Sequence, residues 1–198
     1  IGEMTDEVFH KGIGSVAERN FRPHVNCVNI TPDQKYLCAV DLGVDQVKIY
    51  KFNDDTGKIP LVDMLRCELE SAPRIIKFSP DGRFAYLICE LKNYISVYTY
   101  KDGPRGPVFE LVQTISTLNE YHSKGSAACV LRFSRDWNYV LCSNAGDNSV
   151  GIFKIDRETG MLEKICILPV SGDYPKAADF FPDNRHIMAL NHESNTMT

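Results

Sequence analysis

The stretch His24-Val-Asn-Cys-Val-Asn-Ile-Thr-Pro-Asp-Gln-Lys-Tyr-Leu-Cys-Ala-Val-Asp-Leu-Gly-Val-Asp-Gln-Val-Lys-Ile-Tyr-Lys-Phe52 decides how the whole chain is read. It holds three short strand signals separated by turn chemistry. Cys27 to Ile30 is the first, and Thr31-Pro32-Asp33-Gln34-Lys35 turns the chain. Tyr36 to Val40 is a compact apolar run ended by Asp41-Leu42-Gly43, and Val47 to Phe52 alternates apolar with polar as a half-buried strand does. In the turn, Pro suits the first central position and Asp can bond its own backbone two residues on.

The same phrase recurs. Ser79-Pro80-Asp81-Gly82-Arg83, Ser134-Arg135-Asp136-Trp137-Asn138 and Phe181-Pro182-Asp183-Asn184-Arg185 repeat the turn at intervals of 48, 55 and 47 residues (81 − 33, 136 − 81, 183 − 136). Each is followed by an apolar second strand: Ala85 to Cys89, Tyr139 to Cys142, and His186 to Leu190. Third strands then begin at Ile95 and Val150, and a fourth copy stops at Asn195 to Thr198. Thr56-Gly57 and Thr159-Gly160 supply hairpin loops before fourth strands. Four strands per unit of about 40 to 50 residues is the signature of a β-propeller blade. A β-sandwich with chance likeness between hairpins is the competing architecture, and four matched turns in one strand context argue against it.

The expected fold is therefore all-β, a β-propeller of about four blades with four antiparallel strands each, cut from a larger one. The units fall at 23–71, 72–123, 124–173 and an incomplete 174–198. Residues 1–22 are expected to hold the last strand of a preceding blade, started at Gly2, followed by a polar connection.

Composition narrows function. Hydrophobic residues at 43% and charged residues at 24% describe an ordinary globular chain, and a net charge of −4 speaks against nucleic acid or an acidic membrane as partner. No apolar run approaches the roughly 18 residues of a membrane span. The cysteines are seven, an odd number with no CxxC pair, and several lie inside strand runs. Buried free thiols in a reducing compartment, the cytoplasm, are expected, with neither zinc nor disulfides.

Blade topology sets where a site can form. The start of each first strand and the end of each second strand meet on one face, around the channel that first strands line. His24, Arg74, the 124–127 segment and Lys176 stand at first-strand starts; Asp41, Glu90, Asn144 and Asn191 stand at second-strand ends. Loops of this kind are where a rigid scaffold places binding groups. His24 and Glu90 are the candidate acid–base groups, and Arg74, Asp41, Asn144, Lys176 and Asn191 the candidate substrate contacts. Each has a structural alternative: His24 as a strand cap, Arg74 as the partner of Glu90, Asp41, Asn144 and Asn191 as turn formers. His122 has no nameable partner. No cofactor is called for.

Pro23-His24, Thr31-Pro32-Asp33, Asp41-Leu42-Gly43, Ala72-Pro73-Arg74, Ser79-Pro80-Asp81-Gly82, Ala85-Tyr86 with Glu90-Leu91, and Ser143-Asn144 occur in the order that resembles the seven-bladed lactonase family. That family holds propeller-type 6-phosphogluconolactonases and 3-carboxy-cis,cis-muconate cyclases. The resemblance implies metal-free hydrolysis of a sugar lactone, with His24 or Glu90 activating water and Arg74 holding an anionic group or the developing oxyanion. In the cyclising branch the same groups would move a proton as an alkene acid closes. Three positions depart from the family pattern: Ile75 stands where His often follows Pro-Arg, Ala145 where Arg follows Ser-Asn, and Lys176 where a later Pro-Arg is usual. These departures motivate a rival reading as a non-catalytic scaffold for a ligand or protein. An incomplete ring would also expose blade edges and favour self-association.

Overall fold

In a computed structural model of the chain, described over residues 2–15, 21–119 and 125–198, four antiparallel sheets follow one another along the sequence. The first holds β1 (Val25–Ile30), β2 (Tyr36–Asp41), β3 (Gln46–Lys51) and β4 (Leu61–Arg66). The second holds β5 (Pro73–Phe78), β6 (Phe84–Cys89), β7 (Tyr94–Gly103) and β8 (Gly106–Ser116), and the third β9 (Ala128–Phe133), β10 (Tyr139–Asn144), β11 (Ser149–Ile155) and β12 (Leu162–Pro169). The last is three-stranded, with β13 (Pro175–Phe180), β14 (Ile187–Asn191) and the short β15 (Thr196–Met197). Within every sheet the strands lie in sequence order, and the first strands β1, β5, β9 and β13 pack as successive neighbours. That is the arrangement of propeller blades.

The core lies between blades. Val40, Ile49, Ile76 and Leu87 fill the first seam, Tyr86, Ile88, Leu131 and Phe153 the second, and Val130, Leu141 and Ala178 the third. In β6 alternate side chains serve opposite seams, so all six residues are buried and the strand reads as an unbroken apolar run. Each large side chain removed from water there contributes about 1.5–3 kcal/mol.

The recurrent turn owes its sequence to one hydrogen-bond pattern. The hydroxyls of Thr31, Ser79 and Ser134 donate to Oδ1 of Asp33, Asp81 and Asp136 at 2.6, 2.6 and 2.7 Å. Each hydroxyl also accepts the backbone N–H that starts the next strand, from Tyr36, Phe84 and Tyr139 at 3.0, 3.0 and 2.9 Å. The residue after each Asp is left-handed: Gln34, Gly82, Trp137 and Asn184 have φ of 58°, 72°, 58° and 54°.

A second recurrent residue fastens blade to blade. Asp45, Asn93, Asn148 and Asn195 share φ of 52–53° and repeat at the same 48, 55 and 47 residue intervals (93 − 45, 148 − 93, 195 − 148). Asp45 accepts N–H groups of Glu70 and Ala72, each at 2.8 Å; Asn93 donates to the Ser126 carbonyl at 3.1 Å; Asn148 accepts from Tyr174 N at 2.8 Å. Every such bond ties the chain entering the next blade to the turn of the preceding one.

Residues 2–15 differ from expectation, because no strand forms there. The segment is held instead by side chains: Thr5 donates to the Gly57 carbonyl at 3.0 Å and Asp6 accepts from Ile59 N at 2.9 Å. A strand needs a neighbour's backbone to pair with, and here polar side chains satisfy the contact. Residues His122 and Lys124 lie outside the described residues.

Candidate functional site

The face opposite the Asp33-type turns is built by four equivalent crossings. Leu42, Glu90, Ala145 and His192 each donate a backbone N–H to the carbonyl just before a first strand, those of His24, Ala72, Ala127 and Tyr174, at 3.0, 2.8, 2.8 and 3.0 Å. This register corrects the sequence grouping by one position. Glu90 corresponds to Leu42, Ala145 and His192, while the residue matching Asp41, Asn144 and Asn191 is Cys89, which pairs with Pro73 as Asp41 pairs with Val25. Because successive strand residues point to opposite faces, one step of register sends a side chain to the other seam. Gly43 permits the crossing in the first blade: a Cβ there would lie 1.7 Å from the Arg22 carbonyl oxygen.

First strands carry an irregularity at the same place. Register shifts between Val25 and Cys27, Pro73 and Ile75, and Pro175 and Ala177 leave Asn26, Arg74 and Lys176 as the extra residues, with Cys129 their counterpart in β9. Bulges re-aim side chains. At the second blade the result is an ion pair: Arg74 Nη1 donates to Glu90 Oε2, and Arg74 Nε donates to the Cys129 carbonyl of the next blade at 3.0 Å. The Glu90 side chain is 1% exposed and that of Arg74 30%. The carboxylate is thus an internal anchor, while part of the guanidinium meets solvent.

His24 is exposed, beside an opening of 390 Å3 lined by Phe21, Arg22, Pro23 and His24. Asp41 fixes its backbone, accepting His24 N at 2.7 Å and Gly43 N at 3.1 Å on Oδ1. Its other oxygen lies 2.6 Å from Nδ1 of His10, whose Nε2 is 3.0 Å from the Tyr50 hydroxyl. Burial and the nearby Asp41 push the Tyr50 phenol above its usual range. Asp41 is fully buried and both its oxygens are engaged. His10 escaped the sequence reading because nothing in a polar, aperiodic segment signals a contact 31 residues away.

Asn144 is buried, donating to the Thr117 carbonyl at 2.8 Å and Ser149 Oγ at 3.1 Å; Asn191 donates to Thr198 Oγ1 at 2.8 Å. Among the described residues the side-chain oxygens of both amides are buried without a partner. Lys176 is exposed, its Nζ 5.3 Å above the Tyr174 ring. The structure therefore joins Arg74 to Glu90, and His24 to Asp41, on one face. The opening at His24 is not lined by the Arg74–Glu90 pair. Asn26, at the bulge position shared with Arg74 and Lys176, has a buried amide nitrogen with no partner among the described residues and was missed because sequence alone does not reveal bulge register.

All seven cysteines are free thiols, and burial pushes Cys38, Cys89 and Cys142 up to about 12, so none of these three is a thiolate nucleophile at neutral pH. Among the described residues no three His, Cys, Asp or Glu side chains gather as a metal site, and no helix is long and apolar enough to cross a membrane.

The blades and the ionisable groups at their shared face define a propeller whose polar groups gather where its first strands begin. Residues 1–198 match the lactonase, seven-bladed β-propeller family along their whole length, and the chain belongs to that family. A structure from Lactobacillus plantarum superposes with a TM-score of 0.87 at 30% identity, covering 98% of this chain and 55% of that one. A periplasmic gluconolactonase from Pseudomonas aeruginosa gives 0.85 at 30% identity, over 92% of this chain and 51% of its own. A proposed 6-phosphogluconolactonase from Bacteroides fragilis gives 0.83 at 31%, over 98% and 55%. Among curated relatives, an uncharacterized Lactococcus lactis protein is 33% identical over 195 residues, 98% of this chain and 56% of that protein. The chain spans about half the length of the relatives it matches.

Proposed function

We propose that the protein hydrolyses a sugar lactone, 6-phosphogluconolactone or a simpler aldonolactone, by acid–base activation of water without a metal. The observation that carries this reading is the Arg74 guanidinium, fixed by Glu90 and the Cys129 carbonyl yet partly open to solvent. A cation immobilised in that way is suited to a carbonyl oxygen on which negative charge develops. Its immobilising partner Glu90 is then a positioning residue rather than the proton acceptor.

His24, exposed and anchored through Asp41, takes the proton of the attacking water as the water oxygen bonds to the lactone carbonyl carbon. Collapse of the tetrahedral intermediate breaks the ring C–O bond, and the imidazolium returns the proton to the departing oxygen. One water is consumed and one hydroxy acid formed. Lys176, exposed at the start of β13, is a candidate for the substrate's anionic group, while Asn144 and Asn191 are buried and act as supports beneath the face.

The test is lactone hydrolysis above the spontaneous rate at neutral pH. His24→Ala should lower kcat by about 100-fold or more, and Arg74→Met should lower kcat/KM. Turnover unchanged in both variants would sink the reading.

One observation favours a second reading, a ligand- or protein-binding scaffold: the opening at His24 is lined without Arg74 or Glu90. Under it, lactones bind and are not turned over. The free thiols support the cytoplasm as location. The exposed apolar side chains of Val28 and Ile30 on the first blade and Leu190 and Met197 on the last support self-association between copies.

A further inference from the structure

The seams between blades can be compared position by position on the face opposite the candidate site. Pairing of Tyr36 with Lys51, Phe84 with Thr99 and Tyr139 with Lys154 makes Tyr36 and Phe84 equivalent, and likewise Tyr100 and Ile155, and Asp102 and Arg157. Between the first two blades the seam is bridged by polar side chains. The Tyr36 hydroxyl donates to Asp102 Oδ1 at 2.8 Å, Lys35 reaches Asp102 Oδ2 at 2.5 Å, and the Tyr100 hydroxyl donates to Asp33 Oδ2 at 2.9 Å. Between the second and third blades those bridges cannot form. Phe84 replaces one phenol, Ile155 the other, and Arg157 the carboxylate.

The pocket at this seam, 330 Å3, is walled by Phe84, Tyr86, Trp137 and Ile155 with Arg83 and Arg157 at its rim, whereas the opening of 350 Å3 at the first seam is lined by Pro32, Asp33, Tyr100 and Asp102. That volume lies within the span of small-molecule sites. Trp137 is the anomaly of the seam. It is the single tryptophan of the chain and occupies the left-handed turn position, φ 58°, that Gln34, Gly82 and Asn184 fill elsewhere. The turn imposes that conformation in every blade, and a bulky side chain is disfavoured in it, so Trp137 stands there against the local preference. Its indole stacks on Phe133 at 4.3 Å and 26°, and Phe133 meets Tyr86 edge-on at 5.2 Å, so the aromatic wall is fixed before any ligand arrives.

The charge on the lining selects the ligand. Asp81 is engaged by Ser79 and by Arg83, and Asp136 by Ser134 and Asn138. Arg83 also donates to the Arg157 carbonyl at 2.6 Å, and Arg157 to the Asp136 carbonyl. Two cations and two anions balance, and what the pocket offers beyond them is aromatic and guanidinium planes.

We infer that this seam is a binding site for a compact, uncharged planar aromatic or heteroaromatic ring, stacked against Trp137. Nothing in the lactone reading requires it, and the site lies on the other face of the propeller.

Trp137 being the sole tryptophan, its fluorescence reads the pocket directly. Adenosine and benzamide, titrated separately, serve as uncharged ring probes, with glucose as an uncharged non-aromatic control. Saturable quenching by at least one ring probe and none by glucose is expected. Trp137→Gly restores the residue that Gly82 supplies at the equivalent turn, so it should fold with an unchanged or higher melting temperature. By calorimetry it should bind the ring at least about fivefold more weakly, the loss of one stacking partner. No saturable response to either probe, equal quenching by glucose, or unchanged affinity in folded Trp137→Gly would each overturn the assignment.

Discussion

Removing the guanidinium of Arg74 while leaving Glu90 in place should be among the costlier single changes at the candidate site. The Glu90 side chain is 1% exposed, so Arg74→Met takes a bonded cation away from a carboxylate held in the interior. Breaking a buried pair from one side costs about 3–5 kcal/mol. The lower end applies, because 30% of the Arg74 side chain already meets water and screening weakens the attraction. Glu90→Leu is milder, about 1–2 kcal/mol, since a long cationic side chain can carry its charge outward. The double variant replaces the pair by apolar groups and should lie within about 1 kcal/mol of the native protein. The coupling energy is then at least about 3 kcal/mol. In urea unfolding followed by circular dichroism, with a slope of about 2 kcal/mol/M, Arg74→Met should move the midpoint down by about 1.5 M. A loss below about 1 kcal/mol, or single effects that simply add, would show that Glu90 is not held as a desolvated partner, and the positioning role assigned to it would fall.

Acid should destabilise the fold through its turns. Asp183 is held down to about 2 by the backbone N–H of Arg185 and by His186, and turn hydrogen bonds also lower Asp81 and Asp136. A depressed carboxyl stabilises the folded state above its unfolded value of about 3.9 and loses that contribution as pH falls through the folded one. Melting temperature, by differential scanning fluorimetry, should therefore hold from neutral pH to about 5 and fall steadily below about 4; a flat profile down to pH 2 would contradict the assignment. Self-association should run through the outer faces of the end blades, where Val28 and Ile30 are 60% and 57% exposed and Leu190 and Met197 48% and 64%. Light scattering after size exclusion should show mass rising with concentration, an effect that Val28→Lys with Ile30→Lys abolishes; a monomer at all concentrations would refute it.

The repeat was legible because its turn is local. A hydroxyl, an Asp two residues later and the backbone between them satisfy one another, so the Thr31, Ser79 and Ser134 turns announce themselves without tertiary context. The Asp45 series was equally periodic but its meaning was not visible, because Asp45 bonds residues 25 to 27 positions away. Glu90 was recognised as a carboxylate at an apolar strand end. Its partner stayed undecided because the pairing depends on a bulge in β5 and on the Cys129 carbonyl of another blade. His10 was illegible for the same reason in sharper form: its two partners, Asp41 and Tyr50, lie in strands that the intervening sequence gives no hint of reaching.

Comparison among the four copies separates what folding requires from what it leaves open. The Asp33-class and Asp45-class positions keep one chemistry: Asp, Asp, Asp, Asp at the first, and Asp, Asn, Asn, Asn at the second. The turn job recurs in all four blades and the tying job in the first three, so the residue recurs. The bulge position instead runs Asn26, Arg74, Cys129, Lys176, and the crossing position Leu42, Glu90, Ala145, His192. Backbone bonds at these places are the same in all four blades, so geometry does not dictate the side chain. Of these eight side chains only Lys176 and His192 are exposed, with Asn26 and Arg74 half-buried, so the variation offers solvent a different polar group from the first, second and fourth blades. Both variable positions lie on the same face, and the ion pair between Arg74 and Glu90 joins one to the other within the second blade.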